Sequence, residues 1–194
     1  MKIIGLTGGI GMGKSNAAAV FRRAGVPVFD ADAAVHRLQA NGGRAVGAIG
    51  RAFPGTVRDG AVDRAQLRRA VLSDPAALNR LEAIVHPLVR AEESAFLARA
   101  RRAGRRVAVL DIPLLLETGG EKRVDLVVVV SAPPDVQRQR VRARRKMSPA
   151  QVEAVIARQM PDAAKRRLAD VVVHTGLSRH HTRRQLRAVL RGLA

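Results

Sequence analysis

Eight residues near the start of the chain, Gly8-Gly9-Ile10-Gly11-Met12-Gly13-Lys14-Ser15, fit the pattern G-x-x-x-x-G-K-[ST]. They follow a short apolar run, Ile3-Ile4-Gly5-Leu6, and precede Ala17-Ala18-Ala19-Val20-Phe21, which reads as a helix. Strand, glycine-rich turn and helix in that order make a cradle for a polyphosphate. Glycines let backbone N–H groups close around the anion, and the helix adds the positive end of its dipole. Lys14 can then reach the β- and γ-phosphates, and the Ser15 hydroxyl can ligate Mg²⁺. Gly9, Ile10, Gly11, Met12, Gly13, Lys14 and Ser15 are therefore the expected nucleotide contacts.

A chain of 194 residues can bury one α/β core with inserted subdomains. There is no cysteine, which excludes disulfides, thiolate metal sites and cysteine nucleophiles. The first residues resemble neither a signal peptide nor a membrane span, so the expected location is the cytoplasm, with no membrane partner. The formal net charge is +19, from 35 basic and 16 acidic residues. That balance raises the question of a nucleic-acid partner. Aromatic residues make up only 2 %, however, so base-stacking platforms are nearly absent. The arginines are also scattered over many helices instead of forming one stripe. An arginine-rich composition with an anionic small substrate accounts for the charge, and no specific nucleic acid is expected.

The coarse pattern alternates strand and helix. Strands are expected at 2–7, 27–30, 107–110, 124–130 and 171–173. Helices are expected at 14–24, 134–146, from Ser148-Pro149 onward, and at 178–193. Residues 31 to about 103 hold no convincing strand and many helix starts. Among these, Asp63 reads as the N-cap of 64–72, and Asp74-Pro75 as a cap and first-turn proline. His86-Pro87 interrupts a helical run and reads as a kink. Strands separated by helices imply a parallel, doubly wound sheet flanked by helices. The core is expected to comprise 1–30, 104–133 and 161–194, with a helical insertion at 31–103 and a second, smaller helical one at 134–160.

Phosphate loops serve GTPases, ATPases and small-molecule kinases, and the rest of the chain must choose. The Asn-Lys-x-Asp base-reading motif of the usual GTPase is absent. A small kinase needs a group that activates the acceptor and arginines that offset transition-state charge. Asp30-Ala31-Asp32 ends the second strand, at the sheet edge where ligands bind. One carboxylate there could take the proton of an attacking hydroxyl; the other could hold metal-bound water or cap the next helix. Asp111, ending the third strand, is placed either to support Mg²⁺ or to cap a helix. Six of the ten residues Gln137–Lys146 are basic. Arg140 and Arg144, four apart, share a helix face and are the candidate charge-neutralising pair. The alternative for each is a solvated surface. His180-His181 read as surface.

Beyond single positions, the chain resembles the dephospho-coenzyme A kinase family over nearly its whole length. The resemblance rests on Ile4–Gly11 with Gly13-Lys14-Ser15, Asp30-Ala31-Asp32, Asp59-Gly60, Asp63-Arg64 and Leu67. It continues through Leu81-Glu82, Ile84, His86-Pro87, Asp111-Ile112-Pro113-Leu114-Leu115-Leu116-Glu117, Arg140, Arg144, Gln159 and Ala169-Asp170. The phosphate loop is generic; the ordered set is specific. The resemblance implies a P-loop kinase fold and ATP-dependent phosphorylation of the ribose 3′-hydroxyl of dephospho-CoA, giving CoA and ADP. It implies Asp32 as base or positioning group, with Lys14 on the ATP phosphates, the helical segment 134–160 as the lid and Arg144 as the lid arginine. It places Arg64, His86, Asp111, Leu114, Leu115 and Glu117 with Asp32 on the acceptor side. The implied partners are ATP and dephospho-CoA, with Mg²⁺ as cofactor; the oligomeric state is left open.

Three positions depart from the family pattern. Asn16 stands where threonine is usual, and its amide can still donate to the α-phosphate. Arg145-Lys146 replaces an acidic or small residue after Arg144. His174 stands where asparagine is common. The rival readings are another small-molecule kinase, told apart by acceptor screening, and a nucleic-acid-binding ATPase, which would show steeply salt-dependent DNA binding.

Overall fold

The protein is described by a computed structural model covering residues 1–72, 74–145, 148–157 and 159–193, with the side chains of Arg144 and Arg145 left aside. In chain order the elements are β1 (Lys2–Thr7), α1 (Lys14–Arg23), β2 (Val28–Asp30), α2 (Ala31–Gln39), α3 (Val46–Ala52), β3 (Val57–Arg58) and β4 (Ala61–Val62). They continue with α4 (Arg64–Val71), α5 (Pro75–Arg102), β5 (Val107–Asp111), a 3₁₀ turn (Gly120–Arg123), β6 (Leu126–Ser131), α6 (Pro134–Arg145), α7 (Pro149–Ala157), α8 (Asp162–Arg167), β7 (Val171–His174) and α9 (Arg179–Arg191). Residues Met1–Phe29 and Ala100–Ala194 form one compact unit and Asp30–Arg99 a second.

In the first unit, a five-stranded sheet runs in the order β2-β5-β1-β6-β7. β1 pairs in parallel with β5 on one side and β6 on the other, and β6 pairs in parallel with β7. The chain therefore reverses its direction of travel across the sheet at β1, the switch point where open α/β sheets bind ligands. Val127–Val130 are buried, as a strand covered on both faces requires. Val128 and Val130 pack with Ile4, Leu6, Val109, Val173 and, from the helices, Phe21 and Leu186, while Val127 and Val129 pack with Leu115 and Leu116 on the other face. Two carboxylates pin the strand starts. Asp125 accepts from Ile3 N–H at 2.7 Å while its own N–H donates to Ile3 O at 2.8 Å. Asp170 does the same for Val127, at 2.7 and 3.1 Å.

The second unit has its own core of Leu38, Ile49, Phe53, Val62, Leu67 and Val85. Asp63 caps α4, accepting from Ala65 and Gln66 N–H at 3.0 Å each. The Gln66 N–H, with that of Ala65, outweighs the small desolvation and holds the Asp63 carboxyl below its usual range. Asp74 caps α5 through Ala76 and Ala77 N–H. Two expectations need correction. The stretch 31–103 does contain strands: β3 and β4 form an antiparallel ribbon closed by Asp59 (φ 50°) and Gly60 (φ 73°). Asp-Gly between short apolar runs is the signature of a turn with positive φ at both central residues. The helical run is also not interrupted at His86-Pro87: α5 continues as helix across Pro87, where Val85, Leu88 and Val89 pack into the core.

Candidate active site

The loop Gly8–Gly13 leaves the central strand and enters α1 through Gly13, which sits at φ 92° as the helix N-cap. Gly11 (φ 76°) is closely enclosed: a Cβ there would stand 2.7 Å from Val141 Cγ2 and 2.9 Å from Gln137 O. The loop is fixed mainly by its neighbours. Gln159 Oε1 accepts from Ile10 N–H at 2.7 Å, and Gln137 Nε2 donates to Ile10 O at 2.9 Å. Thr175 Oγ1 donates to Met12 O at 2.6 Å. The Met12 side chain is buried and its sulfur accepts from Ala132 N–H, so only its backbone faces the loop.

Lys14 and Asp111 define the centre of this unit. The register pairs Leu6 with Asp111, so β5 delivers its terminal carboxylate level with the start of the loop. Lys14 Nζ donates to Asp111 Oδ1 at 2.5 Å, and Asp111 is only 3 % exposed. Asp111 is thus a partner of the loop lysine. Ser15 is exposed and Asn16 half-buried at the start of α1.

The remaining expected residues separate clearly. Arg140 reaches the loop, but its guanidinium is engaged: it donates to Thr175 O at 2.6 Å, Thr175 Oγ1 at 3.1 Å and Gly11 O at 3.4 Å. Arg144 lies on α6, four residues on, and its side chain lies outside the described residues, as does Arg145; Lys146 lies outside them entirely. Leu114 is 45 % exposed. Leu115 is not an open contact. It is fully buried with Leu116, Val127 and Val129, over Gly5, where a Cβ would stand 2.5 Å from its Cδ2. Glu117 accepts from Lys165 Nζ at 2.7 Å through Oε1. The backbone of His174 is held by Gln185, which accepts from its N–H at 3.0 Å and donates to its carbonyl at 2.9 Å, and the residue is exposed.

In the second unit the two carboxylates after β2 have different surroundings. Asp30 is the N-cap of α2 and accepts from Ala33 N–H at 2.9 Å. Asp32, in the first turn of α2, is exposed and has no hydrogen-bond partner among the described residues. Arg64 places its guanidinium 2.7 and 2.8 Å from the two ring nitrogens of His36. His86 is exposed on α5, next to buried Val85.

A family model described as dephospho-CoA kinase matches residues 2–179. The chain belongs to the dephospho-CoA kinase family. It is 57 % identical over 190 residues to a dephospho-CoA kinase of Mesorhizobium japonicum, covering 98 % of this chain and 95 % of that one. A solved structure from Thermus thermophilus, TT1252, is 40 % identical with a TM-score of 0.88, covering 100 % of this chain and 98 % of that chain. Dephospho-CoA kinase from Campylobacter jejuni shares the fold, with a TM-score of 0.74 at 22 % identity, over 100 % and 98 % of the two chains. The central strand of the sheet, β1, feeds the phosphate loop. Gln137 and Thr175 hold the loop and were singled out by no sequence pattern. Each lies more than a hundred residues from the loop in the sequence.

Proposed function

We propose that this protein transfers the γ-phosphoryl group of ATP to the ribose 3′-hydroxyl of dephospho-CoA, giving CoA and ADP, the last step of CoA synthesis. The observation that carries the reading is the Lys14–Asp111 pair at the phosphate loop, 2.5 Å between Nζ and Oδ1, in a chain matched by that family's model over residues 2–179. Backbone N–H groups of Gly11, Gly13, Lys14 and Ser15 hold the phosphates, while those of Ile10 and Met12 donate to Gln159 Oε1 and Gly9 O and keep the loop in shape. Lys14, held by Asp111, neutralises charge on the β- and γ-oxygens as the bond to the leaving oxygen lengthens. Asn16 supplies an amide toward the α-phosphate. Arg140 keeps the loop against Thr175, and Arg144 on the lid, residues 134–160, closes over ATP.

Residues 31–103 are assigned to the acceptor, with Asp32 orienting the 3′-hydroxyl or taking its proton and Arg64, His86, Leu114 and Glu117 as neighbours. Leu115 is withdrawn because its side chain is fully buried. The donors fit a magnesium ion held chiefly by substrate. Ser15 offers an exposed hydroxyl and Asp111 a carboxylate, and among the described residues no group of three or more His, Asp or Glu side chains gathers. Mg²⁺ commonly keeps its waters and binds through one or two protein groups plus phosphates. When bound, it shares the neutralisation of the β- and γ-oxygens. Among the described residues no helix is long and apolar enough to cross a membrane, and the proposed place of work is the cytoplasm. The test is ADP release by a coupled assay with and without dephospho-CoA, with CoA identified as product. ADP release that does not depend on the acceptor overturns the reading.

A further inference from the structure

The first unit contains a fully buried lysine that the proposed chemistry does not use. Lys165 on α8 is 0 % exposed. Its ammonium donates to Glu117 Oε1 at 2.7 Å, to Glu117 Oε2 at 2.9 Å and to Pro113 O at 3.3 Å. Burying an ammonium costs several kcal/mol unless it is paired and hydrogen-bonded, so its three contacts say where it is needed. All three lie in the segment that follows Asp111. The same Pro113 carbonyl accepts from Thr7 Oγ1 at 2.9 Å. Thr7 is fully buried and immediately precedes Gly8 of the loop. One residue earlier, Ile112 N–H donates to Leu6 O at 3.0 Å. Glu117 also accepts from Met160 N–H at 3.4 Å, which ties the segment to the chain leading into α8. α8 in turn is anchored to the sheet, because Asp162 accepts from Ser131 Oγ at 2.8 Å.

We infer that Lys165 is a positioning residue for the phosphate site. It clamps the turn after β5 through the Pro113 carbonyl that Thr7 also holds, and thereby fixes the Asp111 carboxylate that holds Lys14. Asp111 is two residues from the shared carbonyl, too close for the turn to shift without moving its carboxylate. Glu117, on this account, serves as the counter-charge of Lys165. Sites that depend on a charged pair lose function when supporting groups let them drift by a fraction of an ångström. The inference rests on the phosphate-binding part of the proposed function and not on the identity of the acceptor.

The test is a cycle read in ATP affinity by titration calorimetry, which needs no acceptor. Lys165→Met alone would leave Glu117 uncompensated, so the variant used is Lys165→Met with Glu117→Gln, checked for folding by circular dichroism. The expected result is a loss of ATP affinity of about tenfold, and no further loss when the same pair is introduced into Asp111→Asn, since coupled residues are non-additive. Thr7→Val, which removes the other donor to the Pro113 carbonyl while keeping the shape, is expected to show a smaller loss that also vanishes in the Asp111→Asn background. It carries the test should the double variant fail to fold. ATP affinity within twofold of the parent, or a loss that adds fully to that of Asp111→Asn, would make Lys165 a structural residue and overturn the inference. Failure of the wild-type protein to release ADP with dephospho-CoA would instead overturn the proposed acceptor and leave this result standing.

Discussion

Lys14 and Asp111 are joined at 2.5 Å although 97 residues separate them in the chain. The parallel pairing of β1 with β5 makes the meeting unavoidable, because Leu6 and Asp111 are register partners and the loop begins two residues after Leu6. On the proposed function, a lysine held this way meets the phosphates already oriented, so little side-chain entropy remains to be lost on binding. The expected cost of Lys14→Ala is on the order of 10²-fold or more in turnover. The fold should persist, with an unchanged circular dichroism spectrum but a lower Tm, because buried Asp111 loses this counter-charge. Near-normal turnover would remove Lys14 from the phosphate site.

Gly11 supplies a second prediction with an internal control. Gly11 and Gly42 share a left-handed backbone, φ 76° and 71°, but a Cβ at Gly42 would meet nothing within 4 Å. Gly42→Ala should therefore show only backbone strain, about 1–2 kcal/mol. Gly11→Ala adds the collision with Val141 and Gln137 O, and should cost more in urea unfolding and also weaken ATP binding. Equal destabilisation by the two would mean that α6 does not confine the loop.

The basic helix gives a contrast between neighbouring arginines. Arg140 uses a planar fork on Thr175 and Gly11, which a lysine cannot reproduce. Arg140→Lys should raise KM for ATP and lower thermal stability together. Arg144→Lys, if Arg144 closes over ATP, should lower turnover nearly as far as Arg144→Ala, with Arg145→Ala mild. Equal tolerance at 144 and 145 would reduce the run to a solvated face.

Asp63 gives a pH-dependent prediction. Its carboxyl lies below the usual range because Gln66 N–H, and then Ala65 N–H, favour the charged form. A depressed folded-state pKa contributes stability that is fully present well above the unfolded value of about 3.9 and is lost as pH falls through the folded value. Asp63→Ala should therefore lower Tm at pH 7, and its gap from wild type should narrow below about pH 4. A gap that is unchanged down to pH 2 would assign the loss to the helix cap alone.

How far such features could be read from sequence depended on their range. The loop, its flanking elements and the caps at Asp63 and Asp74 are local and were legible. Val124–Val130 was legible as a buried strand, although pairing starts only at Leu126, after Asp125 turns back to bond Ile3. Asp59-Gly60 carried a hairpin signal hidden by the shortness of the two-residue strands around it. Leu114 and Leu115 show the limit of a motif: adjacent and alike, they differ from 45 % to 0 % exposed, because only Leu115 seats over Gly5. The Lys165–Glu117 pair spans 48 residues and has no periodic trace at all. Contacts of that kind are set by how elements pack.

Asp32 provides the most diagnostic prediction. Asp30 ends β2 and Asp32 lies two residues on, in the first turn of α2, and their surroundings differ. Asp30 is occupied, accepting from Ala33 N–H at 2.9 Å as the cap of α2. Asp32 is exposed and has no hydrogen-bond partner among the described residues; the proposed function has it meet the acceptor hydroxyl. Asp32→Asn keeps the shape and removes the basicity. ATP affinity should stay near wild type, while turnover with dephospho-CoA should fall by about 10²–10⁴-fold, the usual range for general base assistance. Asp30→Asn retains a capping oxygen and should be mild in turnover, whereas Asp30→Ala should cost about 1 kcal/mol of stability. Measuring kcat, ATP affinity and Tm for the three variants separates the roles. A loss of only a few-fold in Asp32→Asn would make Asp32 structural, and the group acting on the acceptor would then have to be sought at Asp111.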